Sequence, residues 1–348
     1  MKKRSLVLLL TTLLLMFTVT ACGGQSSGES QEAGAEQTEP VTITFSTINM
    51  PLRYTAIENA AAAIEERTGG NVKIDIIAGG VMGGSDKEVA EAVFTGSLGM
   101  TFAADPMIGV ATNTIGWTSL PGFIASTEEA DQYYLDSSSE VYQEVDKELA
   151  EVGLVRLGVA DNGFRVCEVS SAKSYTSLDD AKNLKIRVAD DIGYDLYQAL
   201  GFIPVNMAGS EVLTGLTQGT IDGVDNSIGA TFAMGVQDNI KDILQLNAVY
   251  GGASVIVNQD VWNTISEENQ AIVREEIQKA MVEYTAAFRA SETDSLKQYT
   301  EAGTWNVIVP DEATQEKIKE ASLQILEKYG SQYNADAVAI VQKRIESH

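Results

Sequence analysis

The chain has 348 residues and a formal net charge of −25, from 24 basic and 49 acidic side chains. This acidic balance argues against binding to nucleic acid or to an anionic membrane surface, because both carry negative charge. The only histidine is His348, which excludes a Ser-His-Asp triad, a Cys-His pair and a histidine-built metal site. We therefore expect a protein that is not an enzyme and that uses no metal and no cofactor.

The first 21 residues have the pattern of a secretory signal peptide. A basic start, MKKR, precedes an apolar run over 6–19 that is too short to span a bilayer, which takes about 20 residues. The run ends in V-T-A-C, which resembles a bacterial lipobox, so we expect cleavage before Cys22 and lipidation of that cysteine. The alternative is an ordinary signal peptide with an incidental cysteine. The sequence thus predicts an extracytoplasmic protein that a lipid anchors to the cell membrane.

Residues 22–40 are rich in Gly, Ser, Gln and Glu and cannot bury enough apolar surface to fold, so we predict a flexible tether. Roughly 300 residues follow, which is more than one hydrophobic core usually holds, and two lobes are expected. If Cys22 carries lipid, Cys167 has no disulfide partner, and we expect it to fill space in the core.

Short apolar runs alternate with helical patterns in the first part of the folded chain. Helices are predicted from about Tyr54 and after Ser85, where Ser85 and Glu88 form a capping box. Asn49 and Asp105 lie at the ends of predicted strands, where α/β proteins bind ligands, and are candidate contacts for ligand hydroxyl groups. The predicted strands of this part cover 41–47, 72–78, 100–103 and 154–159.

The stretch 184–226 has the plan of a βαβαβ unit. Two helical patterns, ended by Gly201 and Gly219, separate three apolar runs at 184–188, 202–205 and 221–224. Connections this short put the strand ends on one edge of a sheet, and Arg187 and Asn226 lie at or just beyond two such ends.

Arg187 and Asn226 have the chemistry expected of a carboxylate site. A guanidinium presents a planar fork that matches a carboxylate, and an amide supplies both a donor and an acceptor. The alternative is that Arg187 makes a surface ion pair with Asp190 or Asp191, which are close in sequence.

The remaining chain predicts a connection back to the first lobe. Apolar runs at 243–246 and 253–257 indicate strands that return to it, so that the hinge would consist of strands and be stiff. A long amphipathic helix is predicted from Ser266 to about Glu301, and two more helical segments begin near Pro310 and Asn334.

Several of these segments together resemble one protein family. The runs K-I-R-V, L-G-F-I-P-V and S-E-V-x-x-G-L-x-x-G-x-x-D-G-x-x-N stand within 185–226, and A-G-G-x-x-G and G-S-L-G-M-T precede them at 78–83 and 96–101. This combination resembles the solute-binding proteins of tripartite ATP-independent periplasmic (TRAP) transporters, a family similar to the dicarboxylate-binding proteins.

The resemblance implies a two-lobed α/β clamshell of the periplasmic-binding-protein type, with a strand hinge and a long helix that braces both lobes. We expect the first lobe to comprise 41–162 and 252–291, and the second 163–251 and 292–348. It also implies that the protein binds a small organic acid and delivers it to TRAP membrane subunits.

The resemblance also assigns roles to residues. Arg187 matches the ion-pairing arginine of the family's K-[IL]-R segment, Arg165 matches the arginine of G-x-R, and Asn226 matches the asparagine after D-G-x-x. Gly209 stands where relatives that bind sugar acids often carry an aromatic residue, so dicarboxylates, uronates, sialates and other carboxylates stay open. An extracytoplasmic sensor for a membrane signalling partner is the alternative function.

Overall fold

The computed structural model describes residues 40–77, 79–173 and 177–347. The predicted signal peptide, the lipidation site at Cys22 and all but the last residue of the predicted tether lie outside the described residues. Within the part that is described, no helix is both long and apolar enough to cross a membrane.

Nine strands and twelve α-helices, with five short 3₁₀ helices and one π-helical turn, make up this part of the chain. The strands are β1 (Val41–Phe45), β2 (Val72–Ile76), β3 (Met100–Ala104), β4 (Leu154–Ser170), β5 (Lys185–Val188), β6 (Ile203–Asn206), β7 (Gly223–Asn226), β8 (Ile240–Asn258) and β9 (Asn306–Ile308). The helices are α1 (Pro51–Arg67), α2 (Asp86–Phe94), α3 (Asp105–Thr112), α4 (Thr127–Glu129), α5 (Glu140–Glu151), α6 (Asp191–Ala199), α7 (Val212–Gln218), α8 (Ile228–Ala233), α9 (Gln259–Trp262), α10 (Glu267–Glu301), α11 (Glu312–Tyr329) and α12 (Ala335–Ser347).

The strands form one mixed sheet in the order β2-β1-β3-β8-β4-β7-β5-β6, with β9 also paired to β8. The first three lie in the part of the chain predicted as the first lobe and β7, β5 and β6 in the part predicted as the second, while β8 and β4 lie between them in the sheet. Because β8 and β4 are 19 and 17 residues long, both run through the two lobes. The predicted two-lobed α/β fold is confirmed.

The two long strands differ from the prediction, which ended the strand in the β4 region at 159 and divided the β8 region into two strands at 243–246 and 253–257. Their antiparallel pairing continues from Leu154 to Ser170 with register shifts, one of them between Asp161 and Phe164. Gly163 lies in that irregularity with φ +81°, a conformation that favours glycine. The irregularity falls beside the predicted lobe boundary at 162/163, although the boundaries themselves stay a prediction.

Helix α10 is the long bracing helix that the sequence predicted. Ser266 caps its first turn by accepting a hydrogen bond from the N–H of Asn269. Its middle part, through Phe288, packs into the core formed by β1, β3 and the adjoining half of β8. Farther along, Leu296 and Tyr299 pack against the core of the second lobe. The helix therefore packs against the cores of both lobes.

Two smaller predictions need correction. Helix α1 begins at Pro51 rather than near Tyr54, because proline is well suited to the first helical position. The second helix of the βαβαβ unit begins as a 3₁₀ turn at Gly209–Glu211 and becomes α-helical at Val212. Cys167 is a buried free thiol on β4, which agrees with its predicted place in the core.

Candidate functional site

The parallel strands of the second lobe bring Arg187 and Asn226 together. Arg187 lies in β5 and is the register partner of Val224 in β7. Asn226 follows Val224 by two residues, and side chains two residues apart on a strand share a face. Both side chains therefore lie on the same face of neighbouring strands, near their carboxyl ends, as the sequence predicted.

Arg187 is a buried cation without a counter-ion. Its side chain is 6% exposed, and its Nε donates a hydrogen bond of 2.9 Å to the carbonyl of Met207. Burial lowers the pKa of Arg187, and the nearby charge of Arg165 lowers it further, while the charges of Asp225 and Asp190 partly oppose this shift. No carboxylate lies within ion-pair distance of Arg187 among the residues that the structure describes.

The other buried arginines of the described chain differ from Arg187 in this respect. Arg53 pairs with Asp86 at 2.7 Å, Arg156 pairs with Asp146 at 2.6 Å, and Arg344 pairs with Glu129. A buried charge costs several kcal/mol unless a partner offsets the lost hydration. The two terminal nitrogens of Arg187 thus form a ready site for an anion.

Arg165 lies beside this site but has partners of its own. Its Nη1 donates to Asp190 at 2.9 Å, and its Nη2 contacts Asp225. Burial opposes the charge of Arg165, but Asp190 and Asp225 outweigh that effect and raise its pKa. Both aspartates near Arg187 are therefore paired with Arg165 and not with Arg187. Contact between Arg165 and a ligand stays a prediction.

Asp190 has two functions at this position. It pairs with Arg165, and its Oδ1 also accepts a hydrogen bond of 2.6 Å from the N–H of Gly193, which caps helix α6. Burial would raise the pKa of Asp190, but Arg165 and the Gly193 N–H outweigh it, so that the pKa is lowered. Asp190 is therefore a carboxylate at neutral pH.

A series of hydrogen bonds holds the side chain of Asn226 in place. Its Nδ2 donates to Thr231 Oγ1 at 3.4 Å, and the hydroxyl of Thr231 donates to the fully buried Glu168. Burial raises the pKa of Glu168 well above its usual value. With its amide nitrogen engaged in this way, Asn226 can present its oxygen as an acceptor to a neighbouring group.

Gly209 adjoins the same site. A Cβ at that position would lie 3.1 Å from the terminal methyl of Met234 and 3.9 Å from Nη2 of Arg187. Met234 therefore occupies the space beside Arg187 that an aromatic side chain at 209 would need. The sulfur of Met234 is also 3.6 Å from Nδ2 of Asn226, so this methionine lies between the two predicted ligand-binding residues, Arg187 and Asn226.

The two candidates from the first lobe have different surroundings. Asp105 is fully buried at the start of α3, where the hydroxyl of Tyr134 donates to it, and burial raises its pKa. Asn49 is exposed and lines a groove. The structure does not bring Asp105 to that groove, and the predicted ligand contacts of both residues stay predictions.

The groove has a volume of about 510 Å³ and is bounded by the start of α1, helix α8 and helix α10. Its lining comprises Asn49, Met50, Pro51, Leu52, Ile228, Gly229, Phe232, Ala233, Phe288, Ser291, Glu292 and Ser295. Met234, which borders Arg187, directly follows the lining segment of α8. Thr231 of the same helix accepts the hydrogen bond from Asn226, so the groove lies next to the Asn226 side of the site, although Arg187 itself does not line it.

Glu292 is the one charged side chain of this lining, and the sequence analysis did not identify it. Its Oε1 accepts a hydrogen bond of 3.0 Å from the N–H of Gly229. Burial raises its pKa to about 7, the Gly229 N–H partly opposes this, and Asp161 adds to it. On a long helix with many exposed acids, only the tertiary structure distinguishes Glu292 from the others.

Comparison with known proteins identifies the family. The sequence profile of the bacterial extracellular solute-binding proteins, family 7, matches residues 49–332. The chain belongs to this family. The family 7 protein is 29% identical over 253 residues to the C4-dicarboxylate-binding periplasmic protein DctP of Rhodobacter capsulatus, with 71% of this chain and 72% of that protein covered.

Solved structures agree with this assignment. A TRAP periplasmic solute-binding protein from Ochrobactrum anthropi superposes with a TM-score of 0.79 at 22% identity, covering 89% of this chain and 96% of that one. Another, from Pseudomonas putida F1 with bound D-glucuronate, gives 0.76 at 25% identity, covering 88% and 97%. The predicted membership of the TRAP solute-binding proteins is confirmed. The chain is thus an extracytoplasmic binding protein for transport and not an enzyme.

Proposed function

We propose that this protein is the lipid-anchored receptor of a TRAP transporter. It binds a small organic acid in the cleft between its lobes, through an ion pair between the ligand carboxylate and Arg187, and delivers the acid to the membrane subunits. The observation that carries the proposal is the buried, unpaired guanidinium of Arg187. The acids bound by related proteins, such as D-glucuronate, support the ligand class.

The physical argument rests on desolvation. A carboxylate that enters the cleft loses hydration, and this loss is offset only by a paired and hydrogen-bonded cation. Arginine suits this role because its fork is preorganised and weakly hydrated. Since Arg187 has already lost most of its hydration in the folded protein, a ligand would gain the attraction without most of that part of the cost. Asn226, and Arg165 with its spare N–H groups, would supply further hydrogen bonds.

The test is a ligand screen with two arginine variants. Thermal-shift and calorimetric titrations against organic acids identify a ligand for the wild type, and Arg187→Ala should weaken its binding by roughly a hundredfold to a few thousandfold. Because Arg187 has no carboxylate partner, the ligand-free variant should melt no lower than the wild type. Arg67→Ala is the matched control, since it removes an exposed arginine of α1.

Unchanged titration curves in Arg187→Ala would refute the proposed ion pair. The lipid anchor at Cys22 is independent of the ligand site, so that result would not bear on it.

A further inference from the structure

The charges around Arg187 are balanced before any ligand enters. Arg165, the second arginine of the site, is already paired with Asp190 and Asp225. Tyr197 also donates to Asp225, at 3.1 Å, and holds that carboxyl in place. The two arginines and the two aspartates thus sum to zero net charge, but both acids pair with Arg165, so Arg187 is the guanidinium of this cluster that has no direct carboxylate partner.

The adjoining groove supplies no further positive charge. Its lining contains no lysine and no arginine, and its one ionisable side chain is the carboxyl of Glu292. Its polar groups are otherwise the amide of Asn49 and the hydroxyls of Ser291 and Ser295, beside the rings of Phe232 and Phe288. These groups can hydrogen-bond hydroxyls and pack against carbon, but they cannot neutralise an anion.

We propose that the cleft selects monocarboxylates and rejects dicarboxylates, and that Asp190, together with Asp225, sets this specificity by pairing with Arg165. The inference rests on the proposed function, because it assumes that Arg187 receives the first carboxylate. A second carboxylate in the same molecule would lose hydration without gaining a cation, and in the groove it would face Glu292. The accepted ligand therefore carries hydroxyl or apolar groups on the remainder of its skeleton, and no second negative charge.

Matched pairs of acids test the inference. In each pair the same carbon skeleton ends in one or in two carboxylates, as in butyrate and succinate or gluconate and glucarate. Calorimetric titration of the wild type at neutral pH should give at least about a hundredfold tighter binding for the monocarboxylate of any pair that binds, the usual consequence of a buried charge without a partner. Equal or tighter binding of the dicarboxylate would overturn the inference.

The variant Asp190→Asn tests the role of Asp190. Asparagine caps a helix as well as aspartate does, so the bond to Gly193 can be kept while one negative charge on Arg165 is removed. The variant should bind the dicarboxylate about ten- to a hundredfold more tightly, with little change for the monocarboxylate. Asp225→Asn, which releases the other partner of Arg165, should act in the same direction and serves as a second variant.

Asp191→Asn is the matched control. It removes the same charge from the next residue, which is exposed at the start of α6 and is not paired with an arginine in the described chain. A monocarboxylate-to-dicarboxylate ratio that Asp190→Asn and Asp225→Asn leave unchanged would overturn the assignment to these acids. If the acids bind but Arg187→Ala has no effect, the proposed function fails. If dicarboxylates bind best and Arg187→Ala abolishes their binding, the proposed function stands and only this inference fails.

Discussion

Glu292 makes the stability of the protein depend on pH in a direction that can be worked out. Its carboxyl accepts a hydrogen bond from Gly229 and is packed against Gly163, where a Cβ would lie 2.8 Å from its Oε2. Burial raises its pKa from an ordinary value of 4.5 to about 7. Between these two values the folded protein keeps a proton that the unfolded chain has lost.

The sign and the size follow from linkage. An acid whose pKa is raised by folding stabilises the protein fully below its ordinary pKa, and this contribution is lost as the pH rises through about 7. The interval from 4.5 to about 7 corresponds to about 3 kcal/mol. For a folded part of roughly 300 residues, that free energy amounts to about 5 °C in melting temperature.

The variant Glu292→Gln should remove this dependence. Glutamine retains an oxygen that accepts the Gly229 hydrogen bond but carries no charge at any pH. Calorimetric melting of the ligand-free protein should therefore show little difference between variant and wild type in mild acid. Above neutral pH the variant should be more stable, by up to about 3 kcal/mol.

A control on the same helix separates burial from charge alone. Glu283 is exposed on α10, and Glu283→Gln should change the melting temperature little at either pH, because solvent screens an exposed charge. An advantage of Glu292→Gln that does not grow with pH, or a variant less stable than the wild type in alkali, would refute the reasoning.

Two further predictions concern the anchor and the sheet. Cys22→Ala should release the protein from the membrane fraction of the cells that produce it. Cell fractionation and labelling with a fatty-acid analogue measure this change, and continued membrane association of the variant would contradict the lipid anchor. Gly223→Ala should destabilise the fold by about 3 kcal/mol or more, because its Cβ would collide with the backbone carbonyl of Glu168, which cannot move without breaking the β4–β7 pairing. Chemical denaturation measures this change, and Gly84→Ala, where a Cβ has room at 3.7 Å from its nearest neighbour, should leave the stability nearly unchanged.

The βαβαβ unit around Arg187 and Asn226 could be predicted from the sequence because its signals are local. Apolar runs of strand length, helices at regular spacing and glycines that end those helices all lie within a short stretch of chain. Gly201 and Gly219 do have positive φ, as the ends of the two helices require. Parallel strands joined in this way necessarily present their ends on one edge, so the meeting of Arg187 with Asn226 follows from the sequence alone.

The length of β4 and β8 could not be predicted in the same way. Asn162 and Gly163, like Gly251 and Gly252, are typical of strand breaks, and the strands predicted from the sequence end before them, at 159 and at 246. In the folded protein a register shift absorbs the extra residues, and pairing continues beyond it. Only the partner strand decides between a break and a bulge.

The partners of the charged groups were decided by the tertiary structure alone. Arg165 pairs with Asp225, 60 residues away in sequence, while Arg187 forms no ion pair within the described chain although Asp190 is only three residues away. The strong acidity of the chain gives every arginine many candidate partners, and sequence distance does not rank them. An ion pair depends on separations of a few ångströms. Those separations arise only when the sheet, helix α6 and helix α10 pack together, and they determine which positive charge is left for a ligand.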